Sequence, residues 1–363
     1  MGSKWNPLEM MRILLVVGQL ILISSSLSSS QTVSPNCNKT CGDVAVPYPF
    51  GIGEGCYMNK YFSIRCDVTA APTPKPYLWD SNIEVLNISL EGELRIYTHI
   101  SMACYNESGI RQQPHNFTNG TLSAFPFSRT KNTFTAIGCD TMGMIAGSND
   151  QGFSSGCLSS CGRIDDVTDG ECNGIGCCKT SIPEKTLNYT ASVGSFNNHS
   201  NVWSFNPCSY AFIVEDKSFN FSREDLNGMR NRTVVPSVLD WAVWNETCDA
   251  AKKDTVSFGC KAHSECFDFV NVPGYRCNCS SGYEGNPYHG CVDINECADP
   301  KKNPCDGICH NTEGSYSCSC PKGYHGDDKK GGDGLGCIAN PKSSPLMIIL
   351  VGKFIRIFSF FWC

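Results

Sequence analysis

Two stretches of the sequence repeat each other: Tyr275-Arg-Cys-Asn-Cys279-Ser-Ser-Gly-Tyr283 and Tyr316-Ser-Cys-Ser-Cys320-Pro-Lys-Gly-Tyr324. Each sets a tyrosine two residues before the first cysteine of a Cys-x-Cys pair and follows the pair with a Gly-Tyr step. Outward from these stretches, each belongs to a sextet of cysteines. The first is Cys248, Cys260, Cys266, Cys277, Cys279 and Cys291; the second is Cys297, Cys305, Cys309, Cys318, Cys320 and Cys337. A repeated sextet marks two copies of one supersecondary unit. Each copy has about 45 residues and almost no aliphatic content, too little to bury a self-sufficient core. Disulfides would supply the missing stability, and six cysteines by themselves leave 15 pairings open. Zinc is the rival use of clustered cysteines, but this region holds no Cys-x2-Cys pair.

The rest of the chain points to the same chemistry. Its 363 residues carry 25 cysteines, a number that suits an oxidising compartment and not the cytosol. Lys4 and Arg12 precede an apolar run at 13–23, followed by small polar residues to Ser30. That order is expected of a secretory signal peptide over 1–30, and the run is too short for a membrane span. Glycosylation sequons stand at Asn38, Asn87, Asn106, Asn116, Asn119, Asn188, Asn198, Asn220, Asn231 and Asn245. A further one, Asn278, lies between two cysteines and is expected to stay bare. The formal charge is −6, from 29 basic and 35 acidic side chains, which argues against a nucleic-acid partner.

The sextets resemble tandem EGF-like modules, at 248–291 and 292–338. The resemblance implies the pairs Cys248–Cys266, Cys260–Cys277 and Cys279–Cys291, then Cys297–Cys309, Cys305–Cys318 and Cys320–Cys337. Before the second sextet stands Asp293-Ile-Asn-Glu296-Cys297, and within it Cys309-His-Asn311. Asp293, Glu296 and Asn311 offer side-chain oxygens of the kind a hard cation takes, six to eight at a time. The module resembles the calcium-binding EGF type, which implies carbonyl ligands at Ile294, Thr312 and Ser315 and makes Ca2+ the expected cofactor. The first module has Asn245 and Thr247 where the carboxylates would stand, and only Asp268 fits, so no calcium is expected there.

Residues 31–247 hold the other twelve internal cysteines, five before residue 130 and seven after. Both numbers are odd, so full pairing requires at least one bridge between a cysteine-rich domain at 31–130 and a second lobe at 131–247. The adjacent Cys177 and Cys178 are expected to take separate partners. Local patterns read as β: a hairpin around Glu91-Gly92, a strand from Val234 to Val243, a loop at Pro72, Pro74 and Pro76, and one short capped helix at Ser222. The expected fold is thus mostly β and disulfide-rich, with cysteine-rich β lobes followed by two tandem EGF-like modules.

Several motifs here, among them Cys37-x3-Cys41-Gly42, Val46-Pro-Tyr-Pro-Phe50-Gly51, Gly174-Ile-Gly-Cys177-Cys178 and Trp203-Ser-Phe-Asn-Pro-Cys208, resemble the ectodomain of plant wall-associated receptor kinases. The first of them are similar to its galacturonan-binding domain. The resemblance implies pectin as partner, along with other extracellular proteins or receptor ectodomains, and a place at the cell wall. Charge alone does not predict this: between 31 and 130 seven basic residues meet eight acidic ones. Lys39, Lys60 and Arg65 flank the motif and are the candidate polysaccharide contacts.

Catalytic patterns do not emerge. Gly51-x-Gly53-x-Gly55 lacks the full phosphate-loop fingerprint, and the kinase and His-Glu-x-x-His signatures are missing, so no enzyme activity is expected. The apolar tail within 339–363 is interrupted by Lys353 and Arg356. A charge at a helix centre costs about 2.5–3.5 kcal/mol on insertion. A truncated product or an incomplete reading frame is therefore expected in preference to a membrane-anchored co-receptor. The odd cysteine is then Cys363, the last residue.

Overall fold

Short segments of alternating apolar and polar residues, separated by glycine and proline, make strands the dominant element of the chain. A computed structural model describes residues 36–112, 117–122, 124–147, 152–271, 273–326 and 336–340. The segment 1–30 expected to be a signal peptide, Asn116 and the tail 341–363 lie outside the described residues. Among the described residues no helix is long and apolar enough to cross a membrane. Two compact units form. One reaches to Cys260 and also takes in Cys266–Asn278; the other holds Lys261–Glu265 and the chain from Cys279 onward.

In the first unit the hairpin forms as the sequence implies. Val85–Ile88 pairs antiparallel with Glu93–His99 around the Glu91-Gly92 turn. Val234–Asp240 adds to the other side of Glu93–His99. The strand expected to run on to Val243 stops at Asp240, because Trp241 turns inward and is fully buried. Its ring meets Phe50 edge-on at 5.3 Å and Phe62 at 5.8 Å, while Phe125 packs 5.4 Å from Phe62. The ring of the Val46-Pro-Tyr-Pro-Phe50 motif is therefore core. Pro72 and Pro74 lie in an irregular connection, but Pro76 belongs to the strand Lys75–Leu78, opposite Cys66 of Ile64–Asp67. Within its sheet this strand pairs on one side only, the kind of edge position where a proline is tolerated. The capped element at Ser222 is a 3-10 turn, Arg223–Leu226, closed by reciprocal bonds between Ser222 and Asp225.

Two four-stranded sheets complete the unit. One has the order Ser154–Ser160, Asp140–Gly147, Asn188–Gly194, Phe117–Thr121; the other has Cys177–Ser181, Asn132–Ile137, Cys208–Glu215, Ser101–Cys104. They pack face to face, with Thr141 Oγ1 2.7 Å from Ser209 Oγ across the interface. Cys157–Cys178 ties the sheets to each other, and Cys104–Cys208 joins the segments on either side of residue 130. Cys37–Cys56, Cys41–Cys66, Cys139–Cys161 and Cys172–Cys177 are local, so Cys177 and Cys178 take separate partners. In the modules the bonds are Cys248–Cys266, Cys260–Cys277, Cys279–Cys291, Cys297–Cys309, Cys305–Cys318 and Cys320–Cys337.

Half of the first module is built onto the β body. Its strand Gly274–Cys279 pairs with Val243–Trp244, setting Tyr275 opposite Val243. Next to Tyr275, the buried Arg276 donates from Nε to the Trp241 carbonyl at 2.6 Å, from Nη1 to Glu91 O at 3.2 Å and from Nη2 to Gly92 O at 3.0 Å. Phe269 covers the guanidinium at 3.6 Å, and Asp240 lies 3.8 Å away. Burial pushes the Asp240 carboxyl above its ordinary range, and its bond from Asn271 and the Arg276 charge act against that rise. Losing one partner of a buried charged pair costs about 3–5 kcal/mol. Arg276→Ala should lower unfolding stability by about that amount in non-reducing denaturant melts. Arg276→Lys should restore only part of it, since an ammonium does not reproduce the fork of donors. Arg163→Ala, at an exposed pair, should leave the melt unchanged.

Candidate functional site

The strands of the first unit alternate, and their outward residues line an open cleft of about 500 Å3. Ile64–Asp67 contributes Arg65, Lys75–Leu78 contributes Lys75 and Tyr77, and Glu93–His99 contributes Tyr97 and His99. The inward positions of the last strand, Leu94, Ile96 and Thr98, are buried, which turns Tyr97 and His99 to the cleft. Arg65 faces Tyr77 across the ladder, its guanidinium 4.6 Å over the ring, and Nη2 donates to Ser81 O at 3.0 Å. Two contacts thus hold the arginine in place and leave most of its five donors unspent. Lys75 bonds Glu84 at 3.0 Å, and that bond raises the lysine pKa. Asp67 accepts from both the amide and the hydroxyl of Thr69, which holds its carboxyl below the ordinary range.

Of the three cations named from the sequence, Arg65 alone lines this cleft. Lys39 is an exposed residue just ahead of Thr40–Cys41, and Lys60 opens the 3-10 turn Lys60–Phe62 with Nζ 5.2 Å over Tyr61. Lys75, Tyr77, Tyr97 and His99 were not singled out. The signal that could have found them is the alternation in Lys75-Pro-Tyr77 and Tyr97-Thr-His99, which puts each pair on one face of its strand.

The second unit holds the candidate calcium residues. Asp293 ends the strand Gly290–Asp293, while Asn311, Thr312 and Ser315 surround the turn of the hairpin Ile308–Thr312/Ser315–Ser319. The structure brings the two parts together: Asn311 Nδ2 donates to Asp293 Oδ2 at 2.6 Å, and the Gly314 amide donates to Asp293 Oδ1 at 2.6 Å. Thr312 Oγ1 donates to the Ser315 carbonyl at 2.9 Å, and the Ile294 amide to Gly282 O at 3.0 Å. Glu296 Oε2 is buried with no hydrogen-bond partner, a carboxylate oxygen short of a counterpart. Among the described residues no group of three or more His, Cys, Asp or Glu side chains could hold a metal ion. The candidate set has instead two carboxylates, an amide and carbonyls, an all-oxygen set that suits a hard cation. In the first module the comparable groups are spent on the backbone: Asp268 accepts from the Cys248 amide at 2.6 Å, and Thr247 caps the helix Cys248–Ala251.

Comparison with known proteins gives two family matches. Residues 37–98 match the wall-associated receptor kinase galacturonan-binding family, and residues 293–337 match the calcium-binding EGF domain. The chain is 39% identical to wall-associated receptor kinase 2 of Arabidopsis thaliana over 308 residues, covering 83% of this chain and 40% of that protein. It is 40% identical to wall-associated receptor kinase 5 of the same plant over 294 residues, covering 77% of this chain and 38% of that protein. The chain thus spans about two fifths of the length of these relatives. No solved structure matches it.

The junction between the strand and the hairpin depends on a close approach. Gly282 has φ +84°, and a Cβ there would run into the Gly314 carbonyl. A side chain forced into that backbone region costs about 1–3 kcal/mol before any clash. Gly282→Ala should therefore loosen the junction, read as faster hydrogen exchange at the Ile294 and Gly314 amides, while the amides of the Glu91-Gly92 hairpin stay unchanged.

Proposed function

Because the chain shares a galacturonan-binding segment and a calcium-binding EGF segment with its homologues, the wall-associated receptor kinases, we propose that it binds pectin outside the cell through its first unit and calcium through its second module. The observation that carries the first half is the cleft, in which an arginine already held over Tyr77 stands beside Tyr97 and His99. A galacturonate unit offers a carboxylate for Arg65 and C–H faces for the tyrosine rings. Arg65 and Lys75 are balanced by Asp67 and Glu84, so the cleft is not basic as a whole. Its attraction for a polyanion is local, and a divalent cation between galacturonate and the cleft carboxylates would strengthen it. Lys39 and Lys60 remain surface charges that can add to the approach of the polymer without forming the cleft.

In the second module Asp293, Glu296 and Asn311 would hold calcium through side-chain oxygens, and Ile294, Thr312 and Ser315 through carbonyls. Bound calcium supplies charge to neutralise the two carboxylates. What this chain's residues contribute is the prior meeting of Asp293 with the hairpin and the unpaired oxygen of Glu296.

Retention on de-esterified pectate tests the first half. Arg65→Glu should weaken binding about tenfold or more, about 1.4 kcal/mol, and reversal of Lys39 and Lys60 together should weaken it less. Retention of Arg65→Glu at the level of the unaltered chain removes the cleft from the reading. Calorimetry tests the second half. Asp293→Ala and Glu296→Ala should each lower calcium affinity about tenfold or more. Unchanged affinity in both sinks the proposed site.

A further inference from the structure

Two glycosylation sequons face each other across one edge of the first four-stranded sheet. Asn119-Gly-Thr121 lies on Phe117–Thr121 and Asn188-Tyr-Thr190 on Asn188–Gly194, and the register sets Thr190 opposite Asn119 and Asn188 opposite Thr121. Thr190 Oγ1 donates to Asn119 Oδ1 at 2.8 Å, so both point to the same face. This is the outer face, since Tyr189, Ala191 and Val193 between them are buried against the other sheet. Following the pairing outward, the same face carries Phe117, Met142, Met144 and Leu158. Three of these are well exposed: Leu158 at 57%, Phe117 at 45% and Met144 at 39%. The positions between them are glycine, serine and alanine, with no charged residue among them. A strip of this kind is unusual on a surface open to water.

The two acceptor asparagines differ. Asn119 is exposed, and its hydrogen bond from Thr190 uses Oδ1 and leaves Nδ2 out of that bond. Asn188 is half-buried, with its Oδ1 sealed from solvent. The diagonal offset between them is about 7–8 Å, too little for two branched glycans side by side. We propose that Asn119 carries the N-linked glycan of this sheet, that Asn188 stays bare, and that the first sugars lie over Phe117 and the methionine strip. Phe117 is two residues before Asn119 on the same strand, about 7 Å away on the same face. The first pyranose reaches that far, and its C–H face stacks on the exposed ring. The donor is a lipid-linked oligosaccharide diphosphate. A bond forms between Asn119 Nδ2 and sugar C1, the C1–O bond to the diphosphate breaks, the diphosphate leaves with the bonding pair, and Nδ2 gives up one proton.

The inference rests on the extracellular reading, and the experiment separates the two. The full chain is expressed in a eukaryotic secretory host, and each sequon is assigned by glycopeptide mass spectrometry. Asn119 should be occupied and Asn188 bare, with the exposed Asn38 reporting export independently. Glycan at Asn38 with Asn119 bare, or Asn188 occupied, overturns the inference and leaves export standing; a chain bare at every sequon overturns both. Oxidation of Met142 and Met144 by dilute peroxide is the second readout. Asn119→Gln should speed it at least threefold, and Asn188→Gln should not. Equal rates with and without the Asn119 glycan overturn the covering role, as does a dimer that forms through this face in the glycosylated chain.

Discussion

The buried guanidinium of Arg276 is the constraint that much of the first unit answers to. A delocalised charge taken out of water needs its donors filled and its face covered. Three carbonyls accept from it, those of Glu91, Gly92 and Trp241, and Phe269 covers the face. Each demand then propagates. The Glu91-Gly92 turn must end in glycine, because a Cβ on Gly92 would collide with the guanidinium. The strand from Val234 must break at Asp240 so that Trp241 can present its carbonyl to the arginine while its ring joins Phe50 and Phe62. Val243–Trp244 must pair with the module strand that bears Arg276. A small module with little core of its own is thereby given one, borrowed from the β body.

That borrowing explains which parts of the fold were legible in the sequence. Cysteine spacing marked the module that disulfides close, and parity required a bridge such as Cys104–Cys208. Neither reveals where compactness divides the chain, and the division falls inside the first module, next to Asn278. The Glu91-Gly92 hairpin was visible because it is local. The end of the Val234 strand was not, because it is set by a tryptophan whose partners come from residues 50, 62 and 276. The cleft was hidden for a related reason. Alternation shows which residues of one strand share a face, yet Arg65, Tyr77 and Tyr97 meet only through the pairing of distant strands. Flanking position in sequence therefore selected Lys39 and Lys60 together with Arg65, and only the last lines the cleft. The meeting of Asp293 with Asn311 follows from nearer neighbours, since a short linker and one hairpin contain both.

The second module also shows how little a cation would have to build. In metal-dependent small domains the ligands do not meet until the ion arrives, and the fold is lost without it. Here Cys297–Cys309 ties the linker to the hairpin, and Asp293 already takes hydrogen bonds from Asn311 and Gly314. The contacts an ion would displace are neutral donors on a carboxylate, and the oxygen it would relieve, Glu296 Oε2, has no partner at present. Binding would therefore act on charge and stiffness more than on topology. It would add a positive charge beside Asp293, which the hairpin now meets with an amide side chain and a backbone N–H. With Gly282 pressed against Gly314 on the other side of the turn, any such stiffening would pass directly to the end of the first module, since the carbonyl of Gly282 already holds the Ile294 amide.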